Sequence, residues 1–357
     1  MQRSGPGPLD LVFTRLVPLL AVLLLNGCSS AAYYGQLAEG QWQLLRARQP
    51  LEQVAANPAT SPQLRARLEH AKQARAFASQ QLKLPDNRSY RVYADLGRPY
   101  VVWNVFATPE LSLQPVTHCF PIAGCVAYRG YYQQGAARGA AALMRQDGMD
   151  VYVGGVEAYS TLGWFDDPIL SSMVGWSDER LATLIFHELA HQRFYVQDDT
   201  EFNESFASFV EQEGTRQWRV ARGLAASGGE QGQQREQFIR LVLASRERLQ
   251  AIYAGPLDDA QKRTAKQAEF ERLRREYRQV RDAQWGGDKR YDAWMYGPMS
   301  NAKLLPFGLY DQWVPAFAAV FGEVGGDWAR FYQRVEQLGR LPIEERKVAL
   351  QRLMVNL

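Results

Sequence analysis

The chain has 357 residues, of which 46% are hydrophobic and 22% charged, and its formal net charge at pH 7 is +3. This length allows a sizeable core, organised as one large or two modest domains. The even charge balance and the lack of a basic, aromatic-lined segment argue against a nucleic-acid-binding protein.

Residues 1–28 have the pattern of an export signal. Arg3 and Arg15 flank its start, residues 16–25 form an apolar run too short for a permanent membrane span, and L-N-G-C ends it. This ending resembles the bacterial lipobox, which implies cleavage before Cys28 and acylation of its thiol. A plain secretory signal followed by an unrelated cysteine is the alternative.

Acylation of Cys28 would attach the protein to the lipid bilayer of a bacterial cell envelope. Ser29 follows the cysteine, and a serine there resembles the signal for sorting to the outer membrane. The expected location is therefore the outer membrane, with the protein facing the periplasm.

Helical spacing of apolar residues predicts helices over 34–48 and 62–84, with His70 on the solvated surface. Beyond residue 89 the pattern changes to alternation and to β-branched or aromatic runs, which are typical of strands. The predicted strands are 90–94, 100–107, 125–132 and 150–156, with an Ala-rich helix at 136–146.

Cys119 and Cys125 stand six residues apart in a loop that contains Pro and Gly. In an exported protein such a pair predicts a disulfide that closes a small loop. A metal site shared with His118 is the alternative, but it needs a fourth ligand that the neighbouring sequence does not offer.

Residues 187–191 read H-E-L-A-H, in a chain that has only four histidines. A serine and two acids at 177–179 begin a helix here, so His187 and His191 lie one turn apart on one face and can share a metal ion. Glu188 is then placed to act on a metal-bound water rather than to bind the metal. Chance occurrence and simple packing are the alternatives, but two histidines flanking a Glu would be costly to bury without a ligand.

A catalytic zinc ion usually takes three protein ligands and one water, so a third ligand is expected. An Asp-Asp-Thr turn at 198–200 caps a second helix, on which Glu204, Ser208 and Glu211 share one face. Glu204 and Glu211 are about 10 Å apart along the axis, so only one of them can reach the metal.

Residues 203–207 read N-E-S-F-A, and together with the H-E-x-x-H helix they resemble the gluzincin metallopeptidases. The resemblance implies one Zn²⁺ bound by His187, His191 and Glu204, with Glu211 as the alternative third ligand. The chain departs from the pattern in two ways. Only twelve residues separate His191 from Glu204, so the intervening turn must be tight, and Ser208 stands where thermolysin-like enzymes have an Asp.

A closer resemblance is to a family of bacterial lipoproteins described as predicted aminopeptidases. It rests on F-H-E-L-A-H-Q, on F-N-E-S-F-A-S-F-V-E, on A-Y-S-T-L-G-W-F-D-D-P at residues 158–168, and on the cysteine pair. It implies a peptide substrate trimmed from its N-terminus. The implied fold is α+β and predominantly helical, with a zincin-like core, a small sheet before the H-E-x-x-H helix and a helical C-terminal part.

The zincin resemblance gives further parts of the chain a role. A segment within 151–164 is expected to be the exposed edge along which an extended peptide pairs, with the aromatic residues at 164 and 165 as a wall of the cleft. The oxyanion donor is expected to be Tyr310, with Tyr296 and Tyr159 as alternatives. An acid should bind the free amine, and the candidates are Glu157, Asp166, Asp167 and Glu201.

Residues 233–284 read as a helical hairpin broken at 255–258, and further helices are predicted at 301–317 and 327–338. The expected organisation is a signal peptide (1–27), a tether with helices (28–88), a zincin-like core (89–222) and a helical C-terminal region (223–357).

The function favoured by the sequence is a membrane-anchored, zinc-dependent aminopeptidase that hydrolyses peptide bonds with a metal-activated water. Glu188 argues against a non-catalytic binding protein, because it supplies a base that a purely structural zinc site does not need. Two alternatives stay open at this stage. One is a non-catalytic, zinc-stabilised envelope lipoprotein that binds peptides or protein partners, and the other is a metal hydrolase that acts on a non-peptide bond.

Overall fold

The computed structural model describes residues 31–120, 124–158, 160–161, 163–226, 230–307 and 312–355. The chain divides into two compact units, Met1–Ala47 and Arg48–Leu357. In the described part of the first unit, residues 31–46 form helix α1. The second unit contains the remaining elements.

Two small three-stranded sheets lie in the second unit. In the first, β1 (Arg48–Pro50) pairs antiparallel with β2 (Val92–Ala94), which pairs parallel with β8 (Ile169–Leu170). In the second, β3 (Val102–Pro109) lies between β6 (Tyr128–Tyr131) and β7 (Met149–Val156), all antiparallel. Within the described residues β7 pairs on one side only, so it is an edge strand.

Three helices accompany the sheets. Helices α2 (Leu51–Ala56) and α3 (Pro62–Gln80) precede the strands, and α4 (Gln134–Gln146) packs on β3 and β7. A hairpin of β4 (His118–Phe120) and β5 (Gly124–Val126) carries a disulfide between Cys119 and Cys125.

The centre of the unit is a pair of helices, α5 (Asp178–Arg193) and α6 (Thr200–Ala221). Each begins at a side-chain cap, because Ser177 Oγ accepts a hydrogen bond from the backbone of Arg180 and Asp199 accepts one from Phe202. The two helices approach closely at Gly214, where a Cβ would lie 3.2 Å from Phe186 Cδ2 of α5 and 2.7 Å from Leu82 Cδ1. A larger residue there would push α6 away from its neighbours.

The face of α6 that points away from α5 is aromatic and packs on the C-terminal helices. Phe202 and Phe206 lie 5.2 and 5.8 Å from Phe317, centroid to centroid, and Phe209 lies 5.1 Å from Phe331. Burial of these rings anchors α6 to the C-terminal helices. The partners come from α11 (Val314–Glu323) and α12 (Trp328–Gly339), and α13 (Ile343–Val355) follows.

The predicted hairpin at 233–284 is confirmed as α7 (Glu230–Ala254) and α8 (Asp259–Gln284). The turn between them ends in a capping box formed by Asp258 and Gln261. Short helices α9 (Asp292–Tyr296) and α10 (Asn301–Leu304) follow.

Three expectations are wrong. The single strand expected over 125–132 is divided between β5 and β6, which belong to different sheets. The helix expected over 301–317 is divided into α10 and α11, since Pro306 cannot continue a helix and Pro315 lies in the first turn of the next one. His70 is not on the surface: it is only 6% exposed, because α3 packs on α5 and brings its Nδ1 to 3.3 Å from Asp178 Oδ2.

The α+β, predominantly helical class is confirmed. Among the described residues, no helix combines the length and the apolar character needed to cross a membrane.

Candidate metal centre

A row of polar contacts joins α5 to α6. Thr183 Oγ1 lies 2.9 Å from Thr215 Oγ1, His187 contacts Glu211, and both His187 and His191 contact Glu204. Residue numbers rise along α5 while those of their partners on α6 fall, so the two helices run antiparallel. We call this row of polar contacts between α5 and α6 (Thr183, His187 and His191 with Thr215, Glu211 and Glu204) the seam.

The turn between the helices is held by Asn203. Its Nδ2 donates to Val196 O at 2.6 Å, and its Oδ1 accepts from Val196 N at 2.8 Å. Asp198 in this turn has a positive φ of 61°, and Asp199 is buried against the guanidinium of Arg346. The twelve-residue spacing between His191 and Glu204 is therefore met by a tight, side-chain-clamped turn.

His187, His191 and Glu204 come together at the seam. The two Nε2 atoms are 3.2 Å apart, and Glu204 Oε2 lies 3.4 Å from His187 Nε2 and 3.6 Å from His191 Nε2. Glu204 Oε2 is buried without a hydrogen bond to any described residue, because these contacts are too long or poorly aligned.

These three separations fit a metal ion. Ligand atoms placed 2.0–2.1 Å from a tetrahedral ion would be about 3.3 Å from one another. Three such atoms occupy one face of the tetrahedron and leave its fourth corner to a non-protein ligand. Two imidazole nitrogens and one carboxylate oxygen are also a donor set that suits zinc.

Glu211 contacts His187 on Nδ1, the ring nitrogen that points away from the cluster. Its Oε2 lies 2.9 Å from His187 Nδ1, which favours a proton on Nδ1 and leaves Nε2 to point into the cluster, where its lone pair could bind a metal ion. His191 Nδ1 is buried with no hydrogen-bond partner among the described residues. Glu211 therefore lies on the far side of the His187 ring from the cluster and would orient that ring for a metal ion.

The charges within the seam are strongly coupled. Burial lowers the pKa of His187, but its contacts with Glu204 and Glu211 outweigh burial and raise that pKa well above the ordinary value. Burial raises the pKa of Glu204, whereas its contacts with the two imidazoles lower it to about 2. A bound divalent cation would take the place of the proton on each Nε2 and leave the Nδ1 proton, because histidine binds metals in its neutral form.

Glu188 lies beside the cluster with its carboxylate unengaged. It is half-buried, and it makes no hydrogen bond and no ion pair with the described residues. Burial raises the pKa of Asp167 to about 6 against the hydrogen bonds from Thr161 and Ser160, and the charge of Glu188 adds to this rise. Gln192, one helical turn after Glu188, donates from its Nε2 to Asp167 Oδ2 at 3.3 Å, so Glu188 and Asp167 lie on the same side of α5.

The four acids expected near the substrate amine have different surroundings. Glu157 is bound by Trp176 Nε1 and Arg180, Asp166 pairs with Arg88 at 3.3 Å, and Asp167 is only 2% exposed. Glu201 lies one turn before Glu204 on the same face of α6, is partly exposed, and makes no hydrogen bond or ion pair among the described residues.

Of the three tyrosines considered for the oxyanion, Tyr310 and Tyr159 lie outside the described residues, as does Cys28. Tyr296 contacts Arg281 and Tyr277 of α8.

The sequence did not single out Tyr195, whose ring lies 6.2 Å from that of His191. Its position four residues after His191 was the available signal, although the helix ends at Arg193.

The fold and the seam define an α+β protein in which the two histidines of an H-E-x-x-H helix meet a glutamate from the next helix in a cluster that could hold a metal ion. The chain belongs to the family described as "Putative aminopeptidase", which matches residues 32–350. Membership indicates a peptidase, and therefore a hydrolase. Comparison with curated proteins and with solved structures gave no match.

The position of Glu211 predicts an effect on metal affinity. Replacing Glu211 with Ala should weaken zinc binding roughly 10- to 100-fold, because His187 loses the partner that fixes its tautomer and orientation. Competition with a chromogenic chelator measures the affinity. The control is Glu213→Ala on the same helix, whose carboxylate pairs with Arg216. Equal zinc affinity in the two variants would contradict this role.

Proposed function

We propose that the protein is a zinc-dependent aminopeptidase in which His187, His191 and Glu204 hold the ion. The observation that carries the proposal is the spacing of 3.2, 3.4 and 3.6 Å between the three ligand atoms, beside the unengaged carboxylate of Glu188. A zinc ion bound there would supply an activated water and polarise the scissile carbonyl.

The residues of the chain have separate tasks in this proposal. Glu188 accepts the proton of the attacking water and then delivers it to the leaving amine. The absence of any competing hydrogen bond to a described residue supports this role, since its oxygens are available to water and substrate. Glu211 keeps the Nδ1 proton of His187 in place throughout.

The substrate would lie along β7. This strand pairs only with β3 among the described strands, so its other edge offers backbone donors and acceptors to an extended peptide. The proposal includes a zincin-like core, which would consist of the β6-β3-β7 sheet and the α5–α6 helix pair that follows it in the chain.

Glu201 is the acid that we assign to the free α-amine. Glu157, Asp166 and Asp167 are engaged by other side chains, whereas Glu201 is not engaged among the described residues and shares the ligand face of α6. A carboxylate at this place would favour peptides with a charged N-terminus, which distinguishes an aminopeptidase from an endopeptidase.

Tyr310 is retained as the proposed oxyanion donor. Trp313, three residues later, donates its backbone N–H to Ser205 Oγ at 3.1 Å, next to the ligand Glu204. The chain thus returns to the ligand-bearing part of α6 shortly after Tyr310, which supports the assignment.

The protein is also proposed to be anchored by an acyl group on Cys28 to the outer membrane, with the enzyme in the periplasm. The support is the lipobox-like sequence that ends at Cys28, followed by Ser29.

The general base is tested by Glu188→Gln. The variant should lose peptide cleavage by roughly 10²- to 10⁴-fold while it keeps its zinc, because the amide cannot accept the proton and is not a ligand. Cleavage rate and zinc content are measured on the same sample, with Glu213→Gln as control. Equal activity in wild type and variant, or an inactive zinc-loaded wild type, would remove the enzyme assignment and favour a binding lipoprotein.

The amine contact is tested by Glu201→Gln. We expect a roughly 10- to 100-fold loss of kcat/KM on peptides with a free N-terminus, since a charge-assisted hydrogen bond is lost. Cleavage of N-acetylated peptides by the variant should be no weaker than by the wild type. A wild type that cleaves acetylated and free peptides equally well would argue for an endopeptidase.

The oxyanion donor is tested by Tyr310→Phe, which should lower kcat by roughly 10²- to 10³-fold and leave KM nearly unchanged. The matched control is Tyr296→Phe, because Tyr296 contacts α8 instead of the seam. A kcat close to the wild-type value in Tyr310→Phe would exclude this tyrosine.

The anchor is tested by Cys28→Ala. In the native host, the wild type should sediment with outer membranes and the variant should not, because the variant lacks the acylated thiol. Mass spectrometry of the N-terminal peptide provides the direct check. An unacylated N-terminal peptide from the wild type would contradict the assignment.

A further inference from the structure

Two large rings are exposed to water on a turn that packs against the helix carrying the candidate catalytic carboxylate. Trp164 is 70% exposed and Phe165 is 44% exposed, and both lie in the A-Y-S-T-L-G-W-F-D-D-P segment. Single exposed apolar residues are ordinary on protein surfaces, but adjacent ones on a braced turn beside a reactive group indicate a binding surface.

The turn is braced by Asp167, which is only 2% exposed. Thr161 donates to Asp167 Oδ1 through both its backbone N (3.1 Å) and its Oγ1 (2.7 Å), and its hydroxyl accepts a hydrogen bond from the backbone N of Phe165 at 3.1 Å. Trp164 N also donates to Thr161 O at 3.1 Å. The backbone that carries the two rings is therefore held in place before any ligand arrives.

The turn lies on the face of α5 that carries Glu188. Gly163 has a φ of +81°, and a Cβ there would lie 3.3 Å from Gln192 Cδ. Gln192 Nε2 also donates to Asp167 Oδ2 at 3.3 Å. Because Gln192 is four residues after Glu188, the two side chains are neighbours on one helix face.

We propose that Trp164 and Phe165 form a subsite for a large apolar side chain of the peptide substrate, at a residue that flanks the scissile bond. The inference rests on the proposed peptidase function and adds the class of substrate to it. An aromatic or branched aliphatic side chain would remove apolar surface of both rings from water, whereas alanine would cover little of it.

A membrane surface is the other occupant that exposed Trp and Phe side chains can suit, and the charges beside the turn disfavour it. Asp166 follows Phe165 directly and pairs with Arg88, whose side chain is 81% exposed. Insertion of the rings into a bilayer would dehydrate this ion pair, which costs free energy that a peptide side chain lying on the rings does not require.

The test compares two fluorescent peptides that differ only by Phe or Ala at the residues flanking the scissile bond. Binding to the detergent-solubilised full chain is measured by fluorescence anisotropy in a Glu188→Gln background, so that the peptides are not consumed. We expect a preference of roughly tenfold for the Phe peptide. Trp164→Ala and Phe165→Ala should each reduce this preference severalfold.

Two further variants serve as controls. Leu143→Ala, which removes a 64% exposed apolar side chain on α4, should leave the preference unchanged. Trp164→Phe should keep most of it, which separates loss of the ring from disruption of the turn.

A preference that survives in both alanine variants would overturn the proposal, as would equal weakening of both peptides. So would an unchanged preference combined with weaker binding of Trp164→Ala to phospholipid vesicles in a Cys28→Ala background, a result that would assign the rings to a membrane. If the binding preference behaves as expected but the wild type cleaves no peptide, the peptidase function fails and the subsite stands.

Discussion

The hydrogen-bonded clamp between Asn203 and Val196 is the constraint on which the site depends. Its two bonds, of 2.6 and 2.8 Å, close the turn between α5 and α6 and set how far along α5 the carboxylate of Glu204 lies. A shift of one residue in α6 would rotate Glu204 by about 100° away from the imidazoles. The Asn of the N-E-S-F-A motif is therefore structural, and the Glu that follows it is the residue it positions.

The two carboxylates near His187, those of Glu211 and Glu188, have different surroundings, and this difference suits them to different roles. Behind His187, Glu211 is fixed by its contact with Nδ1, so it can orient the ring. Glu188 has no hydrogen-bond or ion-pair partner among the described residues, so in the proposed function it is available to transfer a proton. The two carboxylates are chemically alike, and in the proposal only their different surroundings assign one to orienting His187 and the other to proton transfer.

Local patterns in the sequence predict much of this arrangement. The caps Ser177 and Asp199 and the hairpin break near Asp258 were predicted because helix termini depend on neighbouring residues. The three-residue β1 and the two-residue β8 were missed because their pairing is long-range and leaves no periodicity. The role of Glu211 could not be predicted either, since it follows from the antiparallel crossing of α5 and α6 rather than from spacing along one helix.

X-ray absorption at the zinc edge of the purified full chain tests the central claim most directly. The account predicts one zinc per chain, with two imidazole nitrogens at about 2.0–2.1 Å and two further oxygen ligands, one from Glu204 and one that is not a protein atom. A spectrum with sulfur at about 2.3 Å, a shell filled by four protein ligands, or a chain that retains no zinc would contradict it.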